Sequence, residues 1–215
     1  MKFVISREDL LKPLQLVAGV VERRQTLPVL SNVLLVVEGN QLSLTGTDLE
    51  VELIGRVTLE QPAEVAGEIT IPAKKLMDIC KSLPDKSEIS FKLDNSKVVV
   101  QAGRSRFSLS SLPATEFPNV EHANVDIQLQ LPQSHIRRLI DRTGFAMAHQ
   151  DVRYYLNGML LEVAATGIKA VATDGHRLAT CAVEIETSAD ETVQVIVPRK
   201  GVLEIAKLMT GGDSP

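Results

Sequence analysis

The sequence predicts an α+β fold made of two tandem copies of one domain, each with two helices packed on antiparallel sheets. Three observations lead to this prediction. Segments 126 positions apart match without a gap, both copies have the same order of strand-like and helix-like segments, and positive charge is concentrated in the helices. The repeat is the most informative of the three, because a repeated sequence implies a repeated unit of structure.

The repeat becomes visible when each residue is aligned with the residue 126 positions later. Leu30–Val37 then meets Leu156–Val163, Thr47-Asp48 meets Thr173-Asp174, and Ile69–Lys74 meets Val195–Lys200. Apolar positions meet apolar positions between these matches. This pattern favours duplication over two unrelated stretches that share common strand motifs.

The first copy begins with a predicted strand at Phe3 and Ile5. Ser6-x-x-Asp9 follows as a capping box in which Asp replaces Glu, which predicts a helix from residue 6 to 20. Pro72 opens a second helix at a position that proline tolerates. Strands are expected at 32–38, 41–46, 50–59, 68–71, 88–93, 97–102 and 105–111, and a linker at 112–123.

The second copy is predicted to repeat this order and then to stop early. We expect strands at 127–131, 157–163, 168–173, 178–186 and 192–197, and helices at 133–147 and 198–210. The three strands that complete the first copy have no counterpart before Pro215. We therefore expect a complete domain at 1–125 and a C-terminally incomplete one at 126–215. Either the chain is part of a longer protein or another chain covers the open sheet edge.

Composition narrows the class of protein. No stretch approaches the roughly 18 apolar residues of a membrane span, and the first residues lack the apolar core of a signal peptide. Two cysteines in 215 residues do not make a disulfide framework, so Cys80 and Cys181 are expected to be reduced, buried thiols. These features predict a cytoplasmic protein with no membrane partner.

The net charge of −4 argues at first against a nucleic-acid partner, but the charge is unevenly distributed. Each of the last three predicted helices carries three cations and one carboxylate, whereas the first helix is neutral. The helices therefore total +6 and the remaining residues −10. Basic helix faces are common and can be simply solvated. The alternative is that successive helices present one face to DNA phosphates, without reading base sequence.

Several motifs resemble the bacterial sliding clamp family, the beta subunits of DNA polymerase III. They are Leu10–Gln15, Leu42–Glu50, Gly103–Ser110, Ala148–Met159 and Ala172–Leu178. The resemblance runs along the whole chain from Met1. It implies a ring-forming processivity factor without enzymatic activity, in which each subunit has three copies of one domain and a homodimer closes around duplex DNA. The family's third domain is absent from this sequence.

The resemblance also implies two sites. DNA contacts fall on Arg24, Lys74, Gln150, Tyr154 and Tyr155, where Lys74 replaces a common arginine and so loses the bidentate fork. Independently, only one of two consecutive strand residues can face a core, so at least one tyrosine should be exposed. A pocket for short linear motifs is lined by Leu156, Thr173, Gly175, His176, Arg177 and Leu178. Its partners would be the DNA polymerase III alpha subunit, the clamp loader, other polymerases and mismatch-repair proteins.

Two other functions are weighed against this one. Asp174 and His176 could act as an acid–base pair in an enzyme, but no nucleophile elbow, metal-ligand spacing or phosphate loop accompanies them. His176 alone, in a turn, is more often hydrogen-bonded than a ligand. A repeat-built protein-interaction module without a DNA role is the second alternative. No cofactor or metal is expected under any reading.

Overall fold

The computed structural model describes residues 1–21, 27–118 and 128–209. The chain divides into two compact units, Met1–Glu121 and His122–Pro215, called unit 1 and unit 2 below. Both are α+β units with antiparallel sheets, as the sequence predicts. No helix among the described residues is long and apolar enough to cross a membrane.

Unit 1 contains two helices and two four-stranded sheets. Its elements are β1 (Lys2–Ser6), α1 (Arg7–Val17), β2 (Asn32–Glu38), β3 (Gln41–Thr47), β4 (Glu52–Thr58), β5 (Gly67–Pro72), α2 (Ala73–Ser82), β6 (Glu88–Asp94), β7 (Lys97–Ala102) and β8 (Ser105–Ser110). The strand orders are β4-β3-β2-β5 and β1-β6-β7-β8. One apolar core joins both sheets to the helices.

Ser6 is the N-cap of helix α1, as predicted, but the Asp9 carboxylate accepts from the Ser6 hydroxyl and not, as in a capping box, from the Ser6 backbone N–H. The Ser6 hydroxyl oxygen accepts a hydrogen bond from the Asp9 backbone N–H and donates one to the Asp9 carboxylate. Apolar residues at helical spacing, Leu10, Leu14 and Val17, then face the core and are fully buried. Helix α2 starts directly after Pro72 and buries Leu76 and Cys80 among others, so its lysines stay on the solvent side.

Unit 2 contains α3 (Gln133–Thr143), β9 (Gly158–Ala164), β10 (Gly167–Thr173), β11 (Leu178–Glu184), β12 (Val193–Pro198) and α4 (Arg199–Leu208). Its sheet has the order β11-β10-β9-β12, which matches β4-β3-β2-β5 of unit 1 element by element. The registers also agree at a shift of 126. Asn32 pairs with Pro72 and Gly158 with Pro198, and Leu34 pairs with Thr45 and Leu160 with Val171. The same pattern therefore folds twice.

The strand predicted at 127–131 is wrong for its described residues, 128–131, which form neither strand nor helix. Ile127 lies outside the described residues. In unit 1 the corresponding strand β1 is held by β6 over five paired positions. Among the described residues of unit 2, no strand pairs with this segment as β6 pairs with β1.

Three smaller expectations also differ from the structure. Helix α3 ends at Thr143 instead of residue 147, and a 3-10 turn at Gly144–Ala146 follows. Cys80 is buried, but Cys181 is only half-buried because β11 is an edge strand; both thiols are free. The linker contains a short 3-10 turn at Ala114–Glu116.

Candidate functional site

Lys74 lies on the exposed side of α2, together with Lys75 and Lys81. The three lysines border a groove of about 550 Å³ whose apolar floor includes Ala18 and Met77. Arg24 lies outside the described residues. The first cationic cluster is therefore a patch on one helix of unit 1.

Gln150, Tyr154 and Tyr155 lie on one loop of unit 2, residues 150–157, between α3 and β9. Gln150 has a left-handed backbone with φ of 59°. Tyr154 is 83% exposed and Tyr155 51%, and their rings meet edge to face with centroids 5.9 Å apart. This confirms that at least one tyrosine is exposed; both lie in a 3-10 turn (Tyr154–Leu156) shortly before β9.

Asp151 and Asn157 hold the two ends of this loop together. The Asn157 amide oxygen accepts the Asp151 backbone N–H at 2.9 Å, and its NH₂ group donates to the Asp151 carbonyl at 2.8 Å. The Asp151 carboxylate accepts the Arg153 backbone N–H at 2.8 Å and binds the guanidinium through Nε at 3.0 Å and Nη2 at 2.9 Å. The loop is thereby braced from within by side chains.

The turn at residues 173–177, between β10 and β11, contains most of the predicted pocket residues. The Thr173 hydroxyl accepts the Gly175 N–H at 3.1 Å and donates to the Arg177 carbonyl at 2.7 Å. Asp174 Oδ1 accepts the backbone N–H groups of His176 and Arg177, and Asp174 Oδ2 binds Arg177 Nε at 3.0 Å. Gly175 supplies the left-handed φ of 87° that the turn requires.

Arg153 brings the loop and the turn together. A methyl group built on Gly175 would lie 3.1 Å from Arg153 Nη2 and 3.4 Å from Nη1, so the guanidinium lies directly over this glycine. On the other side of the turn, the Arg177 guanidinium lies 5.6 Å from the centroid of the exposed Phe145 ring, within cation–π distance. Two arginines therefore flank the backbone of the turn.

The remaining two pocket residues differ in exposure. Leu156 is 9% exposed and closes the 3-10 turn, whereas Leu178 begins β11 and is 65% exposed. Val152, at the tip of loop 150–157, is 96% exposed. Exposed apolar side chains on a braced loop and a braced turn are suited to contact with a macromolecule.

The electrostatics follow from these contacts. Hydrogen bonds from the Arg153 side chain and backbone lower the pKa of Asp151 to about 2. Backbone N–H groups of Arg177 and His176 lower the pKa of Asp174. A carboxylate that already accepts three hydrogen bonds and has a lowered pKa is a poor general base. The geometry therefore does not support an acid–base pair of Asp174 and His176. Among the described residues, no cluster of three or more His, Cys, Asp or Glu could hold a metal.

Sequence reasoning assigned no role to Asp151, Arg153, Asn157 or Phe145. An Asp-x-Arg spacing can pair in an extended segment or in an Asx turn, so the sequence alone does not show where the Arg153 guanidinium lies. The mutual bonding of Asp151 and Asn157 likewise requires the two ends of the loop to meet. The signal present in the sequence was the density of polar residues in 149–157.

Comparison with protein families gives two matches, which together take in nearly the whole chain. Residues 1–121 match the model described as "DNA polymerase III beta subunit, N-terminal domain". Residues 130–215 match "DNA polymerase III beta subunit, central domain".

Curated relatives carry the name "Beta sliding clamp". One from Pseudomonas putida is 67% identical over 98% of this chain, and one from Escherichia coli is 53% identical over the entire chain. The DNA polymerase III subunit beta crystal structure from Pseudomonas aeruginosa superimposes with a TM-score of 0.94 at 64% identity. It is matched by all of this chain, which corresponds to 58% of its own length. The chain spans about 57% of the length of the curated relatives.

Proposed function

This chain belongs to the DNA polymerase III beta subunit family, and on that premise we propose that it is part of a processivity clamp. In this proposal the whole protein is a cytoplasmic homodimeric ring that encircles duplex DNA, slides without reading sequence, and catalyses no reaction. The ring tethers the polymerase III alpha subunit, the clamp loader, other polymerases and mismatch-repair proteins. Domains 1 and 2 of the ring would correspond to residues 1–125 and 126–215.

The DNA role is supported by the lysines of α2, which are exposed and not engaged in ion pairs among the described residues. Lys74, Lys75 and Lys81 are exposed, and no ion pair of the described residues includes them. By contrast, Arg137 pairs with Asp141 at 2.9 Å and Lys207 with Glu204 at 2.6 Å. Unpaired cations can neutralise phosphates without first losing an internal partner. Phosphate contacts of this kind position a duplex but do not specify its sequence.

The partner role is supported by the turn at 173–177 and the apolar residues beside it. Short linear motifs need apolar pockets with a few fixed polar groups. The turn supplies the fixed polar groups, and the exposed Leu178 side chain supplies apolar surface, with the buried Leu156 beneath the neighbouring loop. We propose that this surface is one part of the pocket and that residues of the third domain would supply the rest.

Exposed apolar residues on β12 and α4 support the proposal that the second domain is incomplete. Val195 is 51% and Ile196 45% exposed, and Leu203 of α4 is 44% exposed. Their counterparts in unit 1, Ile69, Thr70 and Met77, are buried. In unit 1 the segment at Leu112 covers β5, where the Thr70 N–H and hydroxyl both donate to the Leu112 carbonyl. An equivalent segment would cover β12.

The DNA role is tested by salt titration of binding to a linear duplex. The unclosed chain should bind weakly, in the non-specific range of about 10⁻⁴–10⁻⁶ M, with log affinity falling steeply with log salt. The double variant Lys74→Glu and Lys81→Glu should make the slope of log affinity against log salt shallower, by about the contribution of two phosphate contacts. Lys92→Glu with Lys97→Glu, on β6 and β7, is the matched control and should leave the slope unchanged. Salt-independent binding, or an equal effect of both pairs, would refute the helix-face assignment.

A further inference from the structure

Loop 150–157 and turn 173–177 meet at a single side chain, that of Arg153. The guanidinium lies over Gly175, yet its position is set from the loop, because Asp151 binds Nε, Nη2 and the backbone N–H of the same arginine. Asp151 is 22% exposed at its side chain and Arg153 48%, so the pair is half-shielded from water. A carboxylate and a guanidinium in bidentate contact form a directional, geometrically specific link.

The link continues from Asp151 to the tyrosines. Asn157 binds both backbone polar groups of Asp151, and the Asn157 N–H donates to the Tyr154 carbonyl at 3.0 Å. The Leu156 N–H donates to the Arg153 carbonyl at 2.9 Å. Any displacement of Arg153 therefore acts on the same backbone that presents Tyr154 and Tyr155.

We propose that Asp151 is a positioning residue that couples the turn 173–177 to the tyrosine pair of loop 150–157. With Asp151 in place, a contact at the turn that moves the Arg153 side chain also moves loop 150–157. In the other direction, a contact that holds the tyrosines in place also holds the Arg153 side chain over Gly175. Without the carboxylate, the Arg153 side chain can move in response to the turn while the loop stays in place, so the two surfaces become independent.

This inference deepens the proposed function and rests on it for the role of each surface. If the tyrosines contact DNA and the turn contacts a partner motif, the coupling makes binding at one surface change affinity at the other. Such linkage is reciprocal by thermodynamic necessity. The chain of contacts is a physical path, and its energetic coupling can be measured directly.

The composition of the chain offers a site-specific probe. It contains two tyrosines and no tryptophan, and both tyrosines, Tyr154 and Tyr155, lie on the loop. Intrinsic fluorescence and its quenching by acrylamide therefore report on this loop alone. The coupling can thus be tested in the chain as it is, without DNA or a partner, so its failure is distinguishable from failure of the clamp function.

The experiment is a double-mutant cycle. Gly175→Ala places a methyl group 3.1 Å from Arg153 Nη2, so the guanidinium must shift by a few tenths of an ångström. We expect this substitution to change the acrylamide quenching constant of the tyrosines. In an Asp151→Asn background, which keeps the shape but removes the charge and one acceptor, the same substitution should produce less than about half of that change, because coupled residues are non-additive. Far-UV circular dichroism checks that each variant is folded.

A matched control exists in the first repeat. Leu49 occupies the position of Gly175 in the equivalent turn and also has a left-handed backbone, with φ of 79°. Leu49→Ala should leave the tyrosine signal unchanged, since both tyrosines belong to unit 2. The proposal is overturned if Gly175→Ala leaves tyrosine quenching unaltered, or alters it equally with and without Asp151.

Discussion

In the first repeat, Asp48 Oδ1 accepts the backbone N–H groups of Glu50 and Val51 at 3.0 and 2.8 Å. In the second repeat, Asp174 Oδ1 accepts those of His176 and Arg177 at 3.0 and 2.9 Å. The Thr47 hydroxyl accepts the Leu49 N–H just as the Thr173 hydroxyl accepts that of Gly175. The Thr-Asp pair therefore builds the same turn twice, at positions 126 apart.

The side chains that these turns present are different. The left-handed position holds Leu49 in the first repeat and Gly175 in the second. The last position holds Val51 in the first and Arg177 in the second, where the guanidinium binds Asp174 and lies over Phe145. Because the Thr and Asp side chains and a backbone hydrogen bond are the same in both turns, the other side chains can differ. The comparison teaches that a repeated scaffold can carry a polar contact site in only one of its copies.

The repeats also differ in how their sheets are covered. Ile69 of β5 is 7% exposed, whereas its counterpart Val195 of β12 is 51% exposed. In unit 1 the segment at Leu112 pairs with β5 at Thr70, and Ile69 belongs to the apolar core that joins both sheets. β5 and β12 thus share a sequence pattern but differ in burial, although each unit has an apolar core of its own.

The largest expected effect tests the difference in burial between β5 and β12. Ile69→Ala should lower the free energy of unfolding by about 2–5 kcal/mol, because it removes buried methyl groups and leaves a cavity. Val195→Ala should lower it by about 0.5 kcal/mol or less, since the side chain is half in water. Urea unfolding followed by far-UV circular dichroism gives both values. Equal costs at the two positions would show that β12 is covered in solution.

The next effect concerns the left-handed position of the two turns. Gly175→Ala should destabilise the chain by about 1–2 kcal/mol, because a side chain is strained at φ of 87° and its methyl group meets Arg153. Leu49→Ala should be nearly neutral, because leucine already bears that strain at φ of 79°. Thermal unfolding of the two variants measures the contrast. A neutral Gly175→Ala would mean that the second turn relaxes to another backbone.

A smaller effect tests whether the scaffold is equivalent in both repeats. Asp48→Ala and Asp174→Ala each remove two carboxylate-to-backbone hydrogen bonds and should each cost about 1 kcal/mol. The additional ion pair of Asp174 with Arg177 is exposed and should add little. Chemical unfolding of both variants side by side makes the comparison. A cost several times greater at either residue would contradict the equivalence of the two turns.

The smallest effect is the acid titration of Asp151, which has no equivalent in the first repeat because Gln25 stands at that position. Its folded pKa of about 2 lies below its usual 3.8. The stability that it contributes is therefore complete above about pH 4 and is lost as pH falls through about 2. The carboxyl carbon shift of Asp151, followed by NMR, should titrate near 2. In Arg153→Leu the midpoint should return towards 3.8, and an unchanged midpoint would contradict the assigned pair.

The sequence was sufficient for the repeat and most of its strands, because alternation and the 126-residue shift are local patterns that the sheets retain. It failed at 128–131, where strand formation depends on a neighbour and not on the segment itself. It also did not predict the 3-10 turn that holds Tyr154 and Tyr155, because such a turn has no periodic signature over three residues.

The position of the candidate site was predictable from the sequence, but the hydrogen bonds and ion pairs within it were not. The Thr173-Asp174-Gly175 turn follows from residue types with strong turn preferences. The Asp151–Arg153 pair and its contact with Gly175 depend on the path of a loop, which is set by hydrogen bonds between residues six apart. Tertiary placement of this kind is not encoded in any short window of the sequence.

The most direct test of the clamp assignment is topological. This chain would replace the matching part of the Pseudomonas putida beta sliding clamp, 67% identical to it over 210 residues, so that a third domain is present. The chimaera would be loaded on nicked circular DNA by the clamp loader of that bacterium, and gel filtration would separate bound from free protein. We predict that it stays on the circle in high salt and is lost when the DNA is linearised. Equal retention on circular and linear DNA would contradict encirclement.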